Sequence, residues 1–414
     1  MQPTIALDRT LVAVNVDGIV HLMLELTAPP AVGAERAPID AVVVLDRSGS
    51  MAGAPIHAVR EATCNLLRQL GSEDRLGVVV FDDEAQMVLP LASHEPDAAS
   101  VRIRAVEAGA STNLSGGWLK GMEMLSGDVR PEALRRIIVL TDGHANAGVT
   151  DSLSLCGLMS AARNQGITTS IIGFDDGYDE VLLAALADAG AGNDYWCAGP
   201  DQAPQVFAAE FDGLASVVAQ NISVEIRPTD AAEVAVLNEY PIVAVGGGFQ
   251  VSLGDAYGGE RRRVVAMYRL NAPGAIGEVD LGELVIRWAS MVGDVALRTT
   301  TISVKVNATD DPGAPDLAAS PVVTEQVNVL KAARSRKAAH ESLMRGDIDG
   351  ARAALRDAVD TLEMIDGEEV QLTQARFDLS ELDLGEWNAA STKRLFSTQR
   401  TTQKGRRSRF DDPT

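Results

Sequence analysis

Ile39-Asp40-Ala41-Val42-Val43-Val44-Leu45-Asp46-Arg47-Ser48-Gly49-Ser50-Met51 is the stretch on which the reading of the fold turns. The apolar run 41–45 shows no polar alternation, so it reads as a strand covered on both faces. It stops at Asp46, and Ser48 and Ser50 follow at steps of two. A buried strand that ends this way delivers one carboxylate and two hydroxyls to one point at the sheet edge. Hard oxygen donors in a short loop are what a small divalent cation such as Mg2+ takes.

The same kind of strand recurs on either side of helical patterns. Apolar runs lie at 76–81, about 86–90, 136–141, 167–174 and about 194–198. Helix-like segments fall at 55–70, 97–107, 114–125, 152–165, 179–189 and 202–218. Continuous apolar strands alternating with helices predict an α/β fold with a doubly wound, mostly parallel sheet over 37–219. Sites in such sheets form beyond the carboxyl ends of the strands. Asp46 and Asp142 both fall there, and the segment Ala110-Ser111-Thr112-Asn113 opens a helix at the same edge. Three loops thus offer two carboxylates (Asp46, Asp142) and three hydroxyls (Ser48, Ser50, Thr112).

Asp46-x-Ser48-x-Ser50, then Thr112, then Thr141-Asp142-Gly143, is an ordered set that resembles the metal-ion-dependent adhesion site (MIDAS) of von Willebrand factor A (VWA) domains. The resemblance implies a Rossmann-like domain that binds Mg2+ or Mn2+ and recognises protein partners. By that likeness Ser48, Ser50 and Thr112 coordinate directly, while Asp46 and Asp142 bind directly or through water. It also implies an open coordination position for a partner's Asp or Glu. With few direct carboxylates the cation keeps net positive charge, which favours such a ligand. A β-sandwich holding such an insertion also resembles the integrin β head and some bacterial von Willebrand A proteins. Intracellular bacterial members of the family often work beside AAA+ ATPases or in kinase and phosphatase clusters. The chain carries no Gly-x4-Gly-Lys-Ser/Thr loop, so any such ATPase is expected to be a separate subunit.

The flanks read differently. In 1–36, Leu11–Val16 and Ile19–Leu26 alternate around Asp17-Gly18, a two-residue hairpin signal. Segment 220–310 returns to short alternating runs with Gly-rich turns, among them Gly246-Gly247-Gly248, and predicts an antiparallel β-sandwich. An isolated hairpin cannot bury its own apolar face, so 1–36 is expected to complete this sandwich, with the α/β domain inserted between its two parts. After the linker 310–315, segment 320–366 predicts a helical hairpin punctuated by Gly346-Asp347, similar to one tetratricopeptide-type unit. Segment 388–414 holds Lys393, Arg394, Arg400, Lys404, Arg406, Arg407 and Arg409 among Ser and Thr, and reads as a flexible basic tail. Thr401 and Thr402 are its candidate docking or modification points.

Composition narrows the function. The 414 residues carry a formal charge of −22, which argues against nucleic-acid or anionic-membrane partners, since both would be repelled. Cys64, Cys156 and Cys197 lack zinc spacing and read as buried free thiols, which suits a reducing cytoplasm. The first residues show no basic segment followed by an apolar core, and no apolar run approaches the roughly 20 residues that cross a bilayer. The expectation is a cytoplasmic, non-catalytic interaction protein. The alternative is a metal-dependent phosphotransfer enzyme (phosphatase-like) with Asp46 as nucleophile. Position 48 is a serine rather than a general acid, and neither a suitably placed lysine after a later strand nor an acidic pair before Asp46 is evident, so that chemistry lacks its parts. His144, after the third loop, and His57, on the first helix, read as surface and structural residues. Asp82-Asp83-Glu84 reads as a solvated turn rather than a second cation site.

Overall fold

The computed structural model describes residues 1–31, 36–109, 111–142, 146–174, 177–292, 295–311, 313, 320–365 and 368–405. Gly143, His144, part of the linker and residues 406–414 lie outside them. The chain opens with strands β1 (Gln2–Leu7), β2 (Leu11–Ala13) and β3 (Gly18–Thr27). An α/β unit follows: β4 (Ile39–Asp46), α1 (Ala54–Gln69), β5 (Arg75–Phe81), β6 (Ala85–Ala92), α2 (Pro96–Arg104), α3 (Leu114–Gly127), β7 (Leu134–Thr141), α4 (Ser152–Asn164), β8 (Ile167–Phe174), α5 (Glu180–Ala189), β9 (Ala191–Cys197) and α6 (Ala203–Ala215). Strands resume with β10 (Val217–Pro228), β11 (Ala232–Val236), β12 (Ile242–Val245), β13 (Gly248–Tyr257), β14 (Arg261–Leu270), β15 (Gly277–Ser290) and β16 (Ala296–Thr309). Four helices close the described chain: α7 (Pro321–Met344), α8 (Ile348–Glu363), α9 (Glu369–Leu384) and α10 (Ala389–Gln403).

The α/β sheet has the order β6-β5-β4-β7-β8-β9 and is parallel apart from β6, which runs antiparallel to β5. All eight residues of β4 are buried. Side chains alternate across a strand. Val43 and Leu45 therefore join Val59 and Leu66 of α1 and Phe207 and Phe211 of α6. Val42 and Val44 join Trp118 of α3, Met159 of α4 and Leu183 of α5 on the other face. Each such aliphatic side chain contributes on the order of 1.5–3 kcal/mol by leaving water. Helix α3 comes close to the sheet because Gly117 lacks a side chain; a Cβ there would lie 2.5 Å from the ring of Phe81. In the parallel register Leu45 sits opposite both Val80 and Leu140, and Thr141 opposite Gly173. Asp46 and Thr141 thus end at the same edge.

The remaining strands form two sheets, β1-β3-β14-β11 and β12-β13-β10-β15-β16-β2, so strands before and after the α/β unit share one sandwich. Asp17-Gly18 does not make the expected hairpin. Strand β3 pairs antiparallel with β1 and β14, while β2 crosses to the other sheet and pairs parallel with β16. The crossing is fixed by polar contacts: Asn15 (φ +57°) donates its backbone N–H to the Pro273 carbonyl, and the Asp17 carboxylate accepts the Ala272 N–H. Val12, 4% exposed, is buried in the sandwich core. Gly246-Gly247 forms the two-residue turn between β12 and β13, with Gly247 at φ +84°, a backbone position that favours glycine.

A buried charge network joins sandwich and α/β unit. Arg136 of β7, 2% exposed, donates to Asp255 of β13 at 3.0 Å and to the Ser170 hydroxyl at 3.0 Å, and lies 3.7 Å from Glu210 of α6. Glu210 also accepts from Asn193 at 2.8 Å and from Tyr195 at 2.9 Å.

The C-terminal part departs from expectation. Helices α7 and α8 pack as a pair, but α9 and α10 follow and pack on them. The stretch read as a flexible tail is, over 389–403, an ordered helix whose Lys393 is 4% exposed. It is held by polar contacts, which an apolar pattern does not reveal. Thr401 and Thr402 lie half-buried in it, their hydroxyls bonded to the carbonyls of Ser397 and Thr398. No helix among the described residues is long and apolar enough to cross a membrane. The three cysteines are free; Cys64 and Cys197 are buried and Cys156 is half-buried on α4.

Candidate metal centre

Strand β4 carries Asp46 to the sheet edge with 0% of its surface exposed. Its Oδ1 accepts the Ser48 backbone N–H at 2.8 Å, and its Oδ2 accepts the Thr141 hydroxyl at 2.6 Å. Ser48 Oγ lies 3.2 Å from Ser50 Oγ, and Ser50 donates to Asp142 Oδ1 at 2.8 Å. Asp46, Ser48, Ser50, Thr141 and Asp142 therefore form one hydrogen-bonded cluster of oxygen atoms at the carboxyl ends of β4 and β7. The turn Gly49–Met51, anchored by buried Met51, places Ser50 over it.

Thr112 is 4% exposed and is fastened by its backbone. Its N–H donates to the Asn146 side-chain oxygen at 2.9 Å, and its carbonyl accepts the N–H groups of Asn146 and Ala147 at 3.2 and 3.3 Å. The loop that leaves Asp142 thus holds the loop that carries Thr112. The first loop is tied to both neighbours as well. Arg47 pairs with Asp82 at 2.9 Å and its carbonyl accepts the Gly109 N–H at 2.5 Å, while the Asp82 carbonyl accepts the Asn113 N–H at 2.9 Å. Asp82 is therefore an ion-paired brace of the loops, whereas Asp83 and Glu84 are exposed turn residues. Sequence reasoning passed over Thr141 as a site residue, although the parallel register of Leu45 with Leu140 places it beside Asp46. Asn146 and Arg47 carried no signal of their own.

Burial pushes the Asp46 carboxyl up to about 6. Hydrogen bonds from Thr141 and Ser48 act the other way, and the charge of Asp142 adds to the rise. Desolvation disfavours the ionised form, and a nearby positive charge would favour it. Among the described residues no three His, Cys, Asp or Glu side chains gather as a metal-binding group. A cation at this edge would be held by hydroxyls together with the Asp46–Asp142 pair. That donor set is all oxygen and fits a hard divalent ion, not zinc.

Residues 40–205 match the family model described as von Willebrand factor type A domain. An uncharacterized protein of Synechocystis sp., sll0103, is 26% identical over 342 residues, 79% of each chain. The E3 ubiquitin-protein ligase WAV3 of Arabidopsis thaliana is 28% identical over 261 residues, 59% of this chain but only 33% of that one. Among solved structures, a von Willebrand factor type A protein from Catenulispora acidiphila superposes with a TM-score of 0.75 at 18% identity, over 98% of this chain and 97% of the other. That likeness extends the shared fold to the sandwich and the C-terminal helices. The doubly wound sheet, its edge cluster and the family match lead to one conclusion: residues 40–205 are a von Willebrand factor type A domain.

Proposed function

We propose that this chain is a Mg2+- or Mn2+-dependent protein-interaction scaffold whose metal is held by Asp46, Ser48, Ser50, Thr112 and Asp142. Von Willebrand factor type A domains are typically interaction modules. The observation that carries the metal reading is the Asp46 carboxylate: it is wholly buried, its hydrogen-bond donors are neutral, and it lies beside a second acid. A cation would offset that repulsion, and the hydroxyls around it supply further ligands. Ser48, Ser50 and Thr112 bind directly in this reading, and Asp46 and Asp142 directly or through water. The remaining position takes a partner's Asp or Glu. A separate AAA+ ATPase, or a kinase or phosphatase, is the class of partner beside which such a scaffold would serve.

The phosphotransfer alternative finds less support. A nucleophilic carboxylate needs an oxygen open to substrate, and both Asp46 oxygens accept hydrogen bonds in a fully buried position. Ubiquitin ligation belongs to the Arabidopsis protein as a whole, of which this chain spans a third.

Calorimetry tests the site. Mn2+ should bind the wild-type protein, and Asp46→Ala or Thr112→Ala should weaken binding by on the order of ten-fold or more. Equal binding in all three proteins would remove the assignment. Pull-downs with and without EDTA test the interface; identical recovery would separate the metal from partner capture.

A further inference from the structure

Helix α10 meets the VWA domain with cations. Lys393, Arg400 and Lys404 follow at steps of seven and four, which places them on one helix face. Lys393 Nζ donates to the Tyr178 carbonyl at 2.9 Å and to Glu180 at 2.9 Å, and stands 3.8 Å above the centre of the Tyr178 ring. His340 of α7 reaches the same Glu180 at 3.3 Å. Arg400 donates to Asp188 and Asp194 at 3.0 Å each, and Lys404 lies 2.7 Å and 3.1 Å from the same two acids. Of the buried residues in α10, only Leu395 is apolar. The last turn is fastened separately to the sandwich, where Asn238 and Tyr240 donate to the carbonyls of Gln403 and Lys404.

The residues gripped by Lys393 adjoin the metal centre. The Tyr178 ring lies against Gly173, where a Cβ would meet it at 2.4 Å. Gly173 pairs across the sheet with Thr141, whose hydroxyl donates to Asp46. One residue before Tyr178, a Cβ on Gly177 would lie 3.7 Å from the Asp142 carbonyl oxygen. Packed contacts therefore run from Lys393 through Tyr178 and Gly173 to Thr141 and Asp46, with a branch to Asp142.

We propose that α10 is a strap that regulates the cation site in cis: docked through Lys393, it holds Tyr178 on Gly173 and steadies the edge that carries Thr141 and Asp142, and lifted, it loosens that edge. The proposal rests on reading the Asp46 cluster as a cation site. Its device is electrostatic, because ion pairs hold the docked face, with Phe396 the one aromatic side chain of α10 beside them. Ion pairs yield to a competing charge, and to salt most where they are partly exposed, as at Arg400 and Asp194, whereas an apolar face does not. A contact path becomes coupling only when both ends respond to one change.

Hydrogen–deuterium exchange and Mn2+ calorimetry on the full chain test it. Lys393→Met should raise exchange across 177–184 and shift Mn2+ affinity by on the order of five-fold. Lys393→Arg, which restores the charge, should keep both at wild-type values. Arg394→Met is the control, because Arg394 pairs with Asp378 and Glu381 of α9 instead of the VWA domain. Wild-type exchange and affinity in Lys393→Met would overturn the strap, as would equal shifts in Arg394→Met. If Lys393→Met does not fold, raising salt on the wild-type protein serves. Segments 389–403 and 177–184 should then lose protection together, and loss in one alone refutes the coupling. A wild-type protein that binds no Mn2+ would instead refute the cation site, and the regulation with it.

Discussion

Two acidic clusters belong to one α/β unit, and they are balanced in opposite ways. At Asp46 and Asp142 the surrounding groups raise an acid: burial lifts Asp46 to about 6, against hydrogen bonds from Thr141 and Ser48. At Glu180 and Asp194 burial also pushes upward, but hydrogen bonds and the charges of Lys393, Arg400 and Lys404 outweigh it. Hydrogen bonds from His340 and Lys393 hold Glu180 at about 2, and Lys404 and Arg400 hold Asp194 far below the usual carboxylate range. The second cluster receives its cations from the chain's own C-terminal helix. The first, as the proposed cation site, would take its cation from solution. If the first cluster is the proposed cation site, the contrast separates acids that cement the fold from acids that exchange their counter-charge.

The largest expected effect comes from turning the first cluster into the second. Ser50→Lys would place an ammonium beside Asp142, and divalent-ion affinity should fall by on the order of 100-fold. A calorimetric titration that still shows wild-type Mn2+ binding would break the comparison.

Next comes pH, where the two clusters should carry opposite signs. Asp46 has a folded value above its unfolded value near 4, so the folded state binds its proton more tightly. Metal-free stability should therefore decline as pH rises from about 4 to about 6, by up to about 3 kcal/mol. Asp46→Asn or saturating Mg2+ should remove that slope in urea titrations. Glu180 is depressed, so its contribution is present above its unfolded value near 4.5 and fades as pH falls toward 2. Glu180→Gln should flatten the acid limb and leave the Asp46 slope intact. A single variant that removes both slopes would show that the clusters are not separate.

The smallest effect concerns the strap's far end. Arg400→Met leaves Asp188 and Asp194 with Lys404, so it should cost only about 1–2 kcal/mol, read as a lower thermal midpoint whose deficit shrinks in high salt. A salt-independent loss would mean that packing, not charge, holds the helix.

The sheet was legible because burial on both faces removes polar alternation, as in Val42 to Leu45. The edge loops were legible because Asp46, Ser48, Ser50 and Asp142 lie at strand ends that a parallel register aligns. Thr141 is legible from the same register, one residue beyond the Leu45–Leu140 pair. Strand β2 misled because Asp17-Gly18 suits a hairpin locally, while the choice of partner strand is made by distant contacts at Pro273 and Thr309. Helix α9 had a readable stripe in Leu372, Ala375, Leu379 and Leu382. Helix α10 did not: its buried positions are Ser391, Lys393, Gln399 and Gln403 beside one leucine, so its order depends on acids some 200 residues earlier.

Arg136 has a consequence for engineering. Because this guanidinium lies inside the VWA sheet but pairs with Asp255 of the sandwich, the domain is not a freely exchangeable cassette. A grafted relative without an arginine at that position would withdraw a cation from two buried acids, Asp255 and Glu210, a change of the kind that costs several kcal/mol. Chimeras should therefore express well only when that arginine travels with the graft or both acids are neutralised, which parallel expression of the three designs would reveal.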